Sequence, residues 1–128
     1  MALLAGCSGK QDATNTLEAQ NKMVAAERAY MAAVKLAIAN EHFQGIFSVN
    51  KKYLQDVQNI DMSGCPDDYK QAMKGLENSL SEISGYLSGA NNIENIDPTK
   101  FKALQDARLD TTRNLNSVAE GHGVTMID

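Results

Sequence analysis

Cysteine, histidine and proline are scarce in this 128-residue sequence, with two of each. Two isolated cysteines and two distant histidines offer no zinc-ligand spacing. No Cys-x-x-Cys-His occurs, which excludes covalent attachment of a c-type haem. Glu-x-x-His, the helical motif of di-iron bundles, is also missing. Glu41 directly precedes His42, so those two side chains point in different directions. No Gly-rich phosphate loop follows a strand. No apolar run is long enough to span a bilayer. Positive charge is thin: Lys51-Lys52 is the densest patch, Lys100 and Lys102 stand elsewhere, and neither is interleaved with aromatics in a recognisable nucleic-acid motif. With a net charge of −4 and a pI near 5.1, no nucleic-acid partner is expected. The basic amphipathic stripe of a membrane-surface helix is lacking too.

What remains is an ordinary core-forming composition. Apolar residues make up 43% and charged residues 22%, too apolar for a disordered tail. A chain of this length builds one core, burying roughly two-thirds of its unfolded surface.

The apolar spacing is helical nearly everywhere. A first tract runs from about Asn15 to Asn40, with Asn15 as cap and Glu18 as its capping-box partner. It is dense in alanine; Val24, Met31, Val34 and Ile38 supply much of its expected apolar stripe, and Met23, Tyr30 and Leu36 broaden it. A second tract spans about His42 to Asn59, with Phe43, Phe47, Leu54 and Val57 near one face. One helix over both tracts would run about 67 Å and leave half its stripe uncovered, so a break or bend is expected near residues 40–47. Asp61 to Cys65 reads as a turn. Pro66 suits a first helical position, with Asp67 and Asp68 at the positive end of the dipole. In the helix that follows, Tyr69, Met73, Leu76, Leu80, Ile83 and Leu87 recur at spacings of four, three, four, three and four. Asp97 and Pro98 start a last helix, faced by Phe101, Leu104, Ala107, Thr111, Leu115 and Val118 and ended by Gly121-His122-Gly123. The expected fold is all-α: an antiparallel four-helix bundle, or a three-helix bundle with a long bent first helix.

Chemistry-bearing side chains are few. Met23, Met31 and Met73 sit at core spacings and fill gaps, a simpler reading than haem ligation with His42 or His122. His42 is expected partly exposed at the bend, and His122 as a helix C-cap. Cys65 reads as a packed turn cysteine, with a disulfide or reactive thiol as alternatives. No catalytic, metal or cofactor residue is assigned.

The start, Leu4-Ala5-Gly6-Cys7-Ser8, resembles the lipobox of bacterial lipoproteins. The resemblance implies acylation of Cys7 with chains such as palmitate, cleavage just before it, and a place in the bacterial envelope. Ser8 resembles the outer-membrane rather than the inner-membrane sorting signal, so the domain would face the periplasm. A lipidated Cys7 cannot pair with Cys65. Five residues precede Gly6 and none is basic, so residues 1–14 are expected to be a truncated signal remnant and polar tether, and 15–128 the folded domain.

The expected function is a lipid-anchored, non-catalytic envelope protein that binds a protein or envelope component. Phe43, Phe47 and Tyr53 are its candidate partner surface. The alternative is a small-ligand or cofactor-binding bundle, or a cofactor-dependent enzyme, with a pocket near His42 or Cys65.

Overall fold

The computed structural model describes residues 2–124, with side chains from Ala13 to Val124. It is an all-α four-helix bundle: α1 (Ala2–Ala39), α2 (Phe43–Gln58), α3 (Asp67–Ala90) and α4 (Pro98–Gly121), with one 3-10 turn at Ile93–Asn95. No strand occurs among the described residues. Consecutive helices run antiparallel and pack in chain order, and α4 returns beside α1.

Helix α1 begins earlier than expected. Its backbone is helical from Ala2, through the stretch read as a tether and past Asn15. Gly6 and Gly9 each cost a helix only about 1 kcal/mol, and no proline stops it. Asn15 therefore caps nothing. Its Nδ2 instead donates to the carbonyl of Gly64, 3.2 Å away in the α2–α3 turn. Gly64 has φ +84°, and a Cβ there would run into the Asn15 amide.

The break falls at residues 40–42, inside the expected window. His42 N–H reaches back to Ala37 O at 2.9 Å and Glu41 N–H to Ile38 O at 3.0 Å. This is the Schellman pattern of a helix end. Its left-handed position belongs to Glu41, φ +52°, where glycine is the usual occupant. That substitution hides the boundary from a reading based on Gly and Pro. The end of α4 uses the same pattern with glycine: Gly123 has φ +85°, and Val124 N–H bonds to Ala119 O at 3.1 Å.

Asp97 caps α4 as expected, accepting from Thr99 N–H at 2.9 Å, with Pro98 in the first turn. Pro66 sits one position earlier than expected: it is the cap residue of α3, and the helix starts at Asp67. In the preceding turn Asp61 accepts from Ser63 N–H at 2.9 Å and from its hydroxyl. These bonds hold the Asp61 carboxyl below its ordinary range.

Helix α3 is the centre of the core. Tyr69, Met73, Leu76, Leu80, Ile83 and Leu87 are all buried. Six such side chains contribute on the order of 12 kcal/mol of gross burial. Against them α2 turns Ile46, Asn50, Tyr53 and Val57, one polar residue among three apolar. Asn50 Nδ2 donates to Leu80 O at 3.2 Å and to Ser84 Oγ at 2.7 Å. Its Oδ1 is buried with no hydrogen-bond partner.

Candidate functional site

The two outer edges of α1 differ in kind, and each follows from which residues α1 buries. Its core positions are Thr16, Ala19, Gln20, Met23, Tyr30, Val34 and Ala37, a mixture of small and polar residues. Of the expected stripe Val34 is buried, as are Met23 and Tyr30 beside it, whereas Leu36 is exposed. Met31 and Ile38 are exposed, and Val24 is half-buried.

The edge toward α4 closes through long polar side chains. Arg108 is 2% exposed and is the one buried charged residue among the described side chains. Its Nη1 lies 3.3 Å from Glu27 Oε2, its Nε donates to Gln105 Oε1 at 3.1 Å, and its Nη2 lies 3.6 Å from Met31 Sδ. The guanidinium also sits 5.1 Å from the Tyr30 ring centroid, within cation–π range. Gln105 Nε2 donates to the Tyr30 hydroxyl at 2.8 Å. Tyr30 in turn stacks on Tyr53, with centroids 4.9 Å apart. Two turns toward the other end, the Tyr69 hydroxyl donates to Gln20 Oε1 at 2.6 Å, and Gln20 Nε2 donates to Asn116 Oδ1 at 2.5 Å. The pairs 20/116, 27/108 and 30/105 advance along α1 as they retreat along α4, so they fix the register of an antiparallel pair.

Burial pushes the phenols of Tyr30, Tyr53 and Tyr69 above their ordinary value. At Tyr53 the charge of Glu27 adds to the rise and Arg108 opposes it. The three remain neutral hydrogen-bonding groups at physiological pH. Arg108 lines none of the cavities along the bundle described next. The seam therefore acts as a lock between helices, with the Arg108 charge spent on its neighbours in the bundle.

The edge toward α2 is a shallow groove with alanine walls. Its deepest part is a cavity of about 170 Å³ over Tyr30 and Tyr53, walled by Ala26, Ala29 and Val49. The Lys52–Asp56 ion pair, 2.8 Å, stands at its rim. Open stretches continue past Lys22 and Asn59 in one direction and past Leu36 and His42 in the other.

The structure separates the residues proposed from sequence as a partner surface. Phe43 and Phe47 are half-buried and meet edge to face, with centroids 6.4 Å apart. Tyr53 is 1% exposed. It belongs to the core, because the α2 face turned inward is the one running 46, 50, 53 and 57, and it drops out of any surface. Cys7 lies within the helical backbone of α1, and its side chain is outside the described residues. Cys65 is buried in the core cluster, as a packed turn cysteine would be. His42 is exposed at the start of α2 on the rim of an open groove. His122 is the C-cap of α4, and its Nε2 lies 2.8 Å from Asp68 Oδ1 at the start of α3.

Two features escaped the sequence reading. Arg108 occupies the centre of the α4 inner face, where Ala107 had been expected; Ala107 is exposed. The other is the displaced apolar stripe of α1. Leu17, Val24, Met31 and Ile38 recur at intervals of seven, with Leu17, Met31 and Ile38 exposed by 42%, 37% and 48%. The interval of seven was visible in the sequence; its outward position was not.

No protein-family model, curated protein or solved structure matches this chain. Among the described residues no group of histidine, cysteine and carboxylate side chains is placed to hold a metal ion, and no helix is long and apolar enough to cross a membrane.

Proposed function

We propose that this chain is a non-catalytic interaction module of the bacterial envelope, held at a membrane by acylation of Cys7 and working by docking a protein through its bundle. The observation that carries the reading is the outward face of α1. Among the described side chains, three of the four large exposed hydrophobic ones, Leu17, Met31 and Ile38, stand on it, and exposed apolar surface gathered on one helix supports a docking role. The polar α1–α4 seam supports it, because the seam holds α1 in register from inside and leaves the outer stripe for a partner. The anchor rests on Leu4-Ala5-Gly6-Cys7. Cleavage ahead of Cys7 would begin the mature chain at that residue, within α1, and two or more acyl chains there would give stable attachment.

The test is expression from the complete gene in a bacterial host, with separation of membrane and soluble fractions. The wild-type chain is expected in the outer-membrane fraction with a mass increase matching diacylglyceryl and acyl groups. Cys7→Ser should move it out of that fraction without changing its helicity. An unmodified wild-type chain in the soluble fraction would remove the anchor from the account.

A further inference from the structure

The guanidinium of Arg108 meets α1 as a two-pronged fork. Its Nη1 lies 3.3 Å from Glu27 Oε2, and its Nη2 lies 3.6 Å from Met31 Sδ. Glu27 and Met31 are four residues apart, so one turn of α1 presents both to the same planar group. The two prongs are filled unequally. One meets a carboxylate oxygen, the strong partner of a guanidinium. The other meets a thioether, a weak acceptor. Arg108 is 2% exposed, so water does little to make up the difference. An oxygen added to the Met31 sulfur falls within hydrogen-bond reach of Nη2 and completes the fork. Oxidation adds that oxygen, and Met31 is placed to be oxidised first. Its side chain is 37% exposed, whereas Met23 is 0% and Met73 1% exposed. Met62, the remaining methionine among the described side chains, is half-buried in the α2–α3 turn. An oxidant must reach the sulfur, so access decides among the four. A methionine sulfoxide ordinarily disrupts the apolar packing around it; here the new polar group has a buried cation beside it.

We propose that Met31 is a reversible oxidation site and that Arg108 receives its sulfoxide. The oxidant is hydrogen peroxide. A sulfur lone pair attacks one peroxide oxygen, and the S–O bond forms as the O–O bond breaks. Sulfur gives up two electrons and the peroxide is reduced. The departing oxygen takes the proton of the transferred one and leaves as water. The sulfoxide oxygen then accepts from Nη2 while Glu27 keeps Nη1. The oxidised side chain holds α1 to α4 more firmly than the thioether does, and a methionine sulfoxide reductase restores the starting state. The inference is independent of what docks on α1 and of the lipid on Cys7.

The test treats the full chain briefly with hydrogen peroxide and maps oxidation by tryptic mass spectrometry. Cleavage after Lys22, Arg28 and Lys35 puts Met23 in the 23–28 peptide and Met31 in the 29–35 peptide. The 29–35 peptide should gain one oxygen about tenfold faster, or more, than the peptides holding Met23 and Met73. Oxidation should raise the urea midpoint by about 0.3 M, and reductase treatment should reverse the rise. Met31→Leu, treated alike, should show no shift, which assigns the rise to this sulfur. In Arg108→Met, which keeps most of the volume and removes the donors, Met31 should still oxidise and the midpoint should not rise. Met31→Gln sets an amide oxygen near Nη2 and should raise the midpoint without peroxide. Unchanged far-UV circular dichroism confirms each fold. A wild-type midpoint that stays or falls with Met31 oxidised would overturn the proposal. So would an equal rise in Arg108→Met, a fall in Met31→Gln, or Met23 and Met73 oxidising as fast as Met31.

Discussion

Replacing Arg108 tests the seam most sharply. In Arg108→Ala the stem and guanidinium leave a buried site, and Gln105 Oε1 and Glu27 each lose a donor. Breaking a fully buried ion pair costs about 3–5 kcal/mol. Here the Glu27 side chain is 25% exposed and can turn toward water, which lowers the cost. The lost stem packing and the contact with the Tyr30 ring raise it again. The expected destabilisation is about 3 kcal/mol, or roughly 10 °C in Tm for a chain of this length. Arg108→Met keeps most of the volume and should cost about 1 kcal/mol. Pairing it with Glu27→Leu should recover most of that loss, since apolar replacement of both partners is often neutral. Urea unfolding of the two singles and the double closes the cycle, with a coupling of at least 1 kcal/mol expected. Arg108→Ala costing less than 1 kcal/mol, or a coupling near zero, would refute the view that this group locks α1 onto α4.

Three further perturbations follow from particular groups. Glu41→Gly relieves a left-handed glutamate and should add about 1 kcal/mol, read as a higher urea midpoint at unchanged m; a loss of stability would contradict the helix-end geometry. Asn50→Asp places a carboxylate oxygen beside the Leu80 carbonyl, in a site with no cation. It should cost about 3 kcal/mol at pH 7, and because burial raises that carboxyl's folded pKa, part of the loss should return at pH 4. Burial raises the phenol pKa of Tyr30, Tyr53 and Tyr69, so folding retains protons that the unfolded chain releases above pH 10. Their contribution is complete below pH 10 and is lost as pH climbs beyond it, by up to about 1.4 kcal/mol per pH unit for each. In a Tyr86→Phe background, tyrosinate absorbance should appear together with the loss of helical circular dichroism; tyrosinate forming in an intact fold would contradict the burial.

The fold was largely legible because α3 and α4 obey local rules. Tyr69 through Leu87 repeat in one heptad-like line, Asp97 and Pro98 announce a helix start, and Gly123 announces an end. The α1–α2 boundary was harder because Glu41 takes the position a glycine would have marked. The working face of α1 was misread for a physical reason. Hydropathy assigns the largest apolar side chains to the core, but here the core accepts Gln20 and the Tyr30 hydroxyl because α3 and α4 supply matching hydrogen bonds. Those partners are 49 to 96 residues away in the chain, and no local pattern reveals them. Leu17, Met31 and Ile38 were thereby left outside. Arg108 was missed likewise, since a lone arginine on a helix gives no sign that Glu27 and Gln105 will enclose it.

The most direct measurement is photocrosslinking in a bacterial host, with a benzophenone amino acid placed in turn at Leu17, Met31 and Ile38 on α1 and at Phe43 and Phe47 on α2 of the full chain. A protein partner that docks on the outer face of α1 gives discrete crosslinked species from the α1 positions. Crosslinks only from Phe43 and Phe47, or none from α1, would contradict that docking.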